Sequence, residues 1–221
     1  MPPWLQLMAD SFWSLLSAGL KFTVPLAIIS FILGLALGIV VALIRLYGPR
    51  PLKWIADFYV WVIRGTPLLV QLFLIFYGLP SAGITLDAFP AALIGFTLNV
   101  GAYSSEIVRG AILSVPQGQW NAAYSLGMKG TQAIRWVIFP QSVFVSLPPL
   151  SNTFISLIKD TSLAAVITVP EMFLAAQRIV SVTYEPLILY VEAAIIYLLF
   201  CTILSKAQTR LESFYQRHNV R

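Results

Sequence analysis

The densest polar cluster near the end of an apolar stretch in this sequence is Lys159-Asp160-Thr161-Ser162. A zwitterionic solute needs a carboxylate for its ammonium and a cation or N–H donors for its carboxylate. Lys159 and Asp160 could supply both, with Thr161 and Ser162 as neutral partners. They could equally neutralise each other and close the end of a helix. Asn99, Tyr103 and Glu106 form a second group, spaced by 4 and 3 and so on one helical face. A polar stripe turned to lipid would leave its groups unsatisfied, so this face should meet the protein interior or a second copy. Asn99 and Tyr103 are therefore read as pathway residues. Glu106, with Arg109 three residues on, is read as structural. So is Arg64, whose charge is costly at a bilayer centre and belongs near the interface or beside a carboxylate.

Chemistry of the catalytic kind has no footing here. The chain has one cysteine, Cys201, and one histidine, His218, which sits in a polar tail and reads as solvated. A disulfide framework within the chain, a metal cluster and a histidine-activated serine are thereby excluded. No G-x-x-x-x-G-K-[ST] nucleotide loop occurs, so ATP hydrolysis is not expected of this chain.

The elements that must position these residues are membrane helices. Hydrophobic residues make up 58% of the 221 and charged residues 10%, too little polar surface to coat a globule. Mean hydropathy is +0.83. An apolar run of about 20 residues spans the hydrocarbon core. Five such runs are expected: Phe22–Leu46; Trp54–Leu79, broken by Arg64-Gly-Thr-Pro67 so that its first part lies in the interface; Ala88–Val108; Trp136–Ile158; and Pro186–Leu204. Gly34 and Gly38, four apart, would admit another helix closely or be incidental in a lipid-facing one. The segment Lys159–Glu185 is too polar to cross alone, and its stretch 169–177 predicts a short helix tucked against the bundle.

Of the 14 Lys and Arg residues, all but Lys21, Lys159 and Arg178 fall on one side if loops 45–53, 109–135 and 206–221 and Arg64 are placed together. The positive-inside rule makes that side cytoplasmic, with the N-terminus outside and the C-terminus inside. The net charge of +5 is thus spent on orientation rather than on nucleic acid. The N-terminus has no basic region or small-residue cleavage site, so no removable signal peptide is expected.

The stretch 119–130, "QWNAAYSLGMKG", interrupts this apolar pattern with small and polar residues. Pro116 suits the first turn of a helix and Gly127 the position past its end, predicting a helix over Gln117–Leu126 of about 15 Å. Trp120, Ala123, Tyr124 and Gly127 share a face at spacings of 3 and 4. Such a knob, poor in side-chain bulk, suits docking into a soluble partner, and the same composition also fits an ordinary interfacial loop helix.

This stretch resembles the EAA loop of permease subunits of bacterial ABC importers, in Ala122, Ala123 and Gly127, followed by Pro140 in "IFPQ". Asn121 stands where that family has glutamate, which keeps a hydrogen-bonding group and loses the charge. The blocks "RGTPLLVQLFLIFYGLP" (64–80), "NVGAYSSEIVRGAI" (99–112) and "PPLSNTFISLIKDTSLAAVI" (148–167) are similar, in order, to the polar amino-acid branch of these permeases, and within it to those of L-cystine importers.

The resemblance implies an all-α, type I importer permease fold forming one transmembrane domain over 1–221, with a cytoplasmic coupling loop at about 114–134, multi-pass in the bacterial inner membrane. Gln119, Asn121, Ala122, Ala123 and Gly127 would couple it to the ATPase. It implies two ATPase subunits, which would use the ATP and Mg, an external or periplasmic substrate-binding protein, and a second permease copy or paralogue, with no cofactor on this chain. The rival expectation is an ion- or proton-coupled amino-acid carrier, motivated by Lys159, Asp160 and Glu192. A non-transporting membrane scaffold would leave 119–130 without a purpose.

Overall fold

A computed structural model describes residues 2–219, with side chains up to Ser213. The side chains of Arg217 and His218, and all of Arg221, lie outside the described part, and with them the reading of His218 as solvated. The described residues form helices α1 (Pro3–Ala18), α2 (Val24–Tyr47), α3 (Arg50–Gly65), α4 (Leu68–Phe73), α5 (Ala88–Leu113), α6 (Gln117–Ser125), α7 (Gly130–Ala133), α8 (Phe139–Asp160), α9 (Met172–Thr183) and α10 (Pro186–Asn219). Three helical stretches are long and apolar enough to cross a membrane, or up to five if each of two bent pairs is one span.

Three wide π-helical turns, Gly19–Thr23, Leu74–Gly78 and Ile134–Ile138, each end two residues before a proline: Pro25, Pro80 and Pro140. Proline brings no N–H and clashes with the carbonyl four residues back, and widening the turn relieves both. The first of these turns lets α1 run into α2 as one 45-residue helical stretch, Pro3–Tyr47. At roughly 1.5 Å per residue it is about twice the length a bilayer core needs. The helix thus begins well before the expected start at Phe22. Its early part packs by Leu15 against Met172, Ala176, Ala193 and Ile196 of α9 and α10. The segment 206–219, expected as loop, is a continuation of α10. Its basic residues sit among good helix formers, and Gln208 bonds Glu212 one turn on at 2.8 Å.

At the expected break, α3 and the helical stretch Leu68–Ala82 that α4 opens meet at 107°. Thr66 precedes Pro67 and is driven to extended backbone (φ −120°, ψ 147°). The freed carbonyls are not left bare. Gln71 Nε2 donates to Ile63 O at 2.8 Å and Thr66 O at 3.1 Å, and Thr66 Oγ1 donates to Val62 O at 2.8 Å. At membrane depth that satisfaction is obligatory.

The two glycines of α2 prove decisive. A Cβ on Gly34 would stand 2.6 Å from Val100, and one on Gly38 would stand 2.7 Å from the Ser104 Cβ. Both pairs rise together in number, so α2 and α5 run parallel in close contact, and the α3–α4 unit supplies the return between them. The main core joins α2, α4, α5 and α8 through Leu26, Leu72, Phe96, Val100, Leu157 and Ile158. The short helix expected over 169–177 is observed as α9, packed against α1 and α10.

Candidate functional site

A polar cavity of about 480 Å³ opens where the α3–α4 break meets α5 and α8. The break contributes Thr66 and Pro67, α5 contributes Asn99 and Tyr103, and α8 contributes Asn152, Thr153, Ser156 and Asp160. Its size is that of small-molecule sites. Asn99 and Tyr103 are one turn apart, and Asn152, Ser156 and Asp160 follow at successive intervals of four, so each helix turns one polar stripe inward. The sequence reading had Asn99, Tyr103 and Asp160. It missed Asn152 and Ser156, although the interval of four from Asp160 was the available signal.

Lys159 does not join Asp160 there. It lines a separate, more apolar cavity of about 530 Å³ with Ser162, Phe173, Tyr190, Tyr197 and Cys201. Neighbours on a helix point about 100° apart, so the clamp of Lys159 and Asp160 around one solute, one of the two readings of this pair, is not assembled. Thr161 is fully buried, its Oγ1 donating to Ile158 O at 2.7 Å. Ser162 Oγ likewise donates to Lys159 O at 2.7 Å. The cluster contiguous in sequence is thus divided among two cavities and the core.

Beside Tyr103 lies a cluster of charges. Glu106 accepts a hydrogen bond from Arg45 Nη1 and another from Arg109 Nη2 at 2.8 Å, and Arg64 Nη1 stands 3.8 Å away. Arg45 Nε also donates to Asp57 at 2.6 Å. The guanidinium of Arg64 lies over the Tyr103 ring, 5.3 Å from its centre. Partnered charges are what the apolar setting demands. Arg64, Glu106 and Arg109 are brought together as their charges suggested. Arg45 and Asp57 were missed, because their distance along the chain conceals that α2 and α3 run alongside each other.

Helix α6 stands apart from the cavity. Ala123 is buried, and Trp120 packs at the ends of α2, α5 and the turn before α8, near Ala42, Val108, Ile112 and Ile138. Gln119 Oε1 accepts from Gln141 Nε2 at 3.1 Å, and Gln117 Nε2 donates to Asn121 Oδ1 at 3.3 Å. The face foreseen as one surface is divided: Trp120 and Ala123 turn inward, while Tyr124, 49% exposed, and Gly127 lie at the surface, as does Leu126 beside them. Asn121 and Ala122 are exposed too. Gly127 closes the helix at φ +75°, with open space where a Cβ would point. Among the described residues, no group of three or more His, Cys, Asp or Glu side chains could hold a metal ion.

Residues 34–217 match the model of the family described as binding-protein-dependent transport system inner membrane component. The chain is 53% identical to the L-cystine transport system permease protein TcyB of Bacillus subtilis (strain 168), over 98% of this chain and 92% of that one. It is 42% identical to the probable amino-acid ABC transporter permease protein YckA of the same strain, over 90% and 88%. Among solved structures, a crystal structure of an amino acid ABC transporter with histidines superposes with a TM-score of 0.88 at 37% identity, covering 94% of this chain and 97% of that one. An all-helical bundle with a polar cavity at a broken helix, matched over its length by these relatives, belongs to the inner-membrane components of binding-protein-dependent transport systems, as a permease subunit of the amino-acid ABC importer kind.

Proposed function

We propose that this chain carries L-cystine inward as the permease of an ATP-driven importer, passing it through the cavity of Thr66, Asn99, Tyr103, Asn152, Ser156 and Asp160. The observation that carries the reading is that cavity: three elements of an apolar bundle turn their polar residues into it, and Asp160 offers a carboxylate for an ammonium group. The relative named for L-cystine, at 53% identity, supports the choice of amino acid.

In this reading the N-terminus is outside and the C-terminus cytoplasmic, which puts α6 on the cytoplasmic side. Gln119, Asn121, Ala122, Ala123 and Gly127 form the coupling element, Ala122 with its exposed neighbours docking into an ATPase subunit and Ala123 anchoring from within. Two ATPase subunits use ATP and Mg, a second permease copy or paralogue completes the pathway, and an external binding protein delivers the substrate. Displacement of α6 passes through Trp120 to the ends of α2 and α5 and the turn before α8, and so to α5 and α8, which line the cavity. The drive is the ATPase pair's preference for one arrangement of the bundle. Glu106 and Arg109, with Arg45 and Asp57, hold α2, α3 and α5 together on that side, and Arg64, read as structural, adds a looser contact to Glu106 at 3.8 Å.

The test is uptake of labelled L-cystine by membranes holding the assembled importer, together with mild-detergent purification of this chain. ATP-dependent uptake and an ATPase subunit that comes down with the wild type but not with Gly127→Trp are expected. Uptake indifferent to ATP would overturn the reading in favour of an ion-coupled carrier.

A further inference from the structure

Asp160 is the one charged residue among those lining the polar cavity, so the cavity as built answers only the ammonium end of an amino acid. Lys159, its neighbour in sequence, faces the other cavity. A cation nevertheless stands at the wall. Tyr103 lines the cavity, and the guanidinium of Arg64 lies over its ring at 5.3 Å. Thr66, two residues beyond Arg64, lines the same cavity.

Arg64 is also the least committed member of its cluster. Glu106 is already hydrogen-bonded by Arg45 and Arg109, and Arg45 also holds Asp57. Arg64 approaches Glu106 only to 3.8 Å, and its guanidinium makes no hydrogen bond among the described residues. Its side chain is 44% exposed, against 15% for Arg45. Three arginines face two carboxylates, which leaves one positive charge in excess, and geometry assigns it to Arg64. Stacking on an aromatic face holds a guanidinium plane while leaving its N–H edge open to a carboxylate fork. The residue is also the last but one of α3, directly before the break whose Thr66 and Pro67 line the cavity.

We propose that Arg64 is a specificity-determining residue of the pathway, receiving the carboxylate of the passing amino acid in exchange for its loose contact with Glu106. The inference rests on the reading of the cavity as an amino-acid pathway. It transfers to Arg64 the role that sequence adjacency offers to Lys159. The substrate is then held between Asp160 and Arg64, two charges that come from different helices. The face of Tyr103, 5.3 Å from the guanidinium, limits where that group can lie.

The experiment uses the assembled permease–ATPase complex in detergent without the binding protein, so that selectivity belongs to the permease. Binding of labelled L-cystine is competed by unlabelled L-cystine and by its diamide, which keeps both ammonium groups and loses both carboxylates. The wild type should prefer the acid by about tenfold or more, the usual worth of a charge-assisted hydrogen bond. Arg64→Gln should bring acid and diamide to equal affinity while leaving the diamide's own affinity unchanged. Arg64→Lys, which keeps the charge without the fork or the stacking, should retain part of the preference. Asp160→Asn should weaken both competitors alike. An acid preference that survives Arg64→Gln in a complex that still holds its ATPase would overturn the proposal, as would a wild type that does not distinguish the two. The cystine reading is judged separately by wild-type uptake. Should uptake show another amino acid as cargo, that reading falls and the same comparison is made with that amino acid and its amide.

Discussion

Helix α6 and the polar cavity are both polar interruptions of an apolar chain, yet they are built in opposite ways. Helix α6 is local: Pro116 opens it, Gly127 closes it, and about ten consecutive residues hold its anchoring and its exposed faces. The cavity draws on residues 66, 99–103 and 152–160, which meet because α5 packs against α8, with α2 pressed on α5 at two glycines, and because the chain breaks before Pro67. A site made locally should tolerate change elsewhere in the bundle. A site made by assembly should fail when distant packing fails.

The largest effect should come from Gly38→Leu. Its side chain would enter the space held by Ser104 and the Gly101 carbonyl. Overpacking of about 1–3 kcal/mol is expected, read as a lower melting temperature in detergent and loss of substrate binding. An unchanged melt would show that the α2–α5 contact is looser than described. Glu106→Ala should come next, because it leaves three arginines around a missing carboxylate. Breaking a fully buried pair costs about 3–5 kcal/mol. With Glu106 22% exposed, a loss of about 2 kcal/mol in unfolding measurements is expected, and Glu106→Gln should retain more of the stability.

Gly127→Trp should separate the two regions most cleanly. A non-glycine residue in left-handed backbone costs roughly 1 kcal/mol, so the bundle should remain folded. ATPase recovery should be lost while substrate binding persists. Loss of binding together with the ATPase would mean that α6 and the cavity are not independent. Ser156→Ala is a gentler test of the cavity. Among the described residues no side-chain hydrogen bond holds Ser156, so stability should change by less than about 0.5 kcal/mol, while uptake should fall several-fold. The smallest effect is expected for Lys159→Gln. If Lys159 belongs to the second cavity alone, uptake should stay within about twofold of wild type. A large loss would return Lys159 to the substrate path.

Much of the architecture could be read directly. The break at Arg64–Pro67, the helix over 117–125 and the short helix after Glu171 all announce themselves through proline, glycine and polarity, which act on the backbone within a few residues. Boundaries fared less well where apolar content was the guide. Phe22 was the expected start of a span, but the helix already runs from Pro3, with Gln6 and Asp10 exposed on it and Ser11 buried, donating to Glu192 of α10 at 2.5 Å. The tail after Leu204 looked like loop because it is basic, yet Lys and Arg are good helix formers.

The residue types needed for an amino-acid pathway were therefore present in the sequence, as was the local helix that would dock a partner. Only the tertiary structure decided which charges act together. It split Lys159 from Asp160, although they are adjacent in the chain, because successive helical residues diverge by about 100°. It brought Arg45, Asp57, Arg64 and Glu106 together from three helices, and Asn99 opposite Ser156 from two. Local backbone chemistry is encoded over a few residues and can be read there. Side-chain partnership in a bundle depends on helix rotation and closeness of approach, which Gly34 and Gly38 set only once it is known which helix they face.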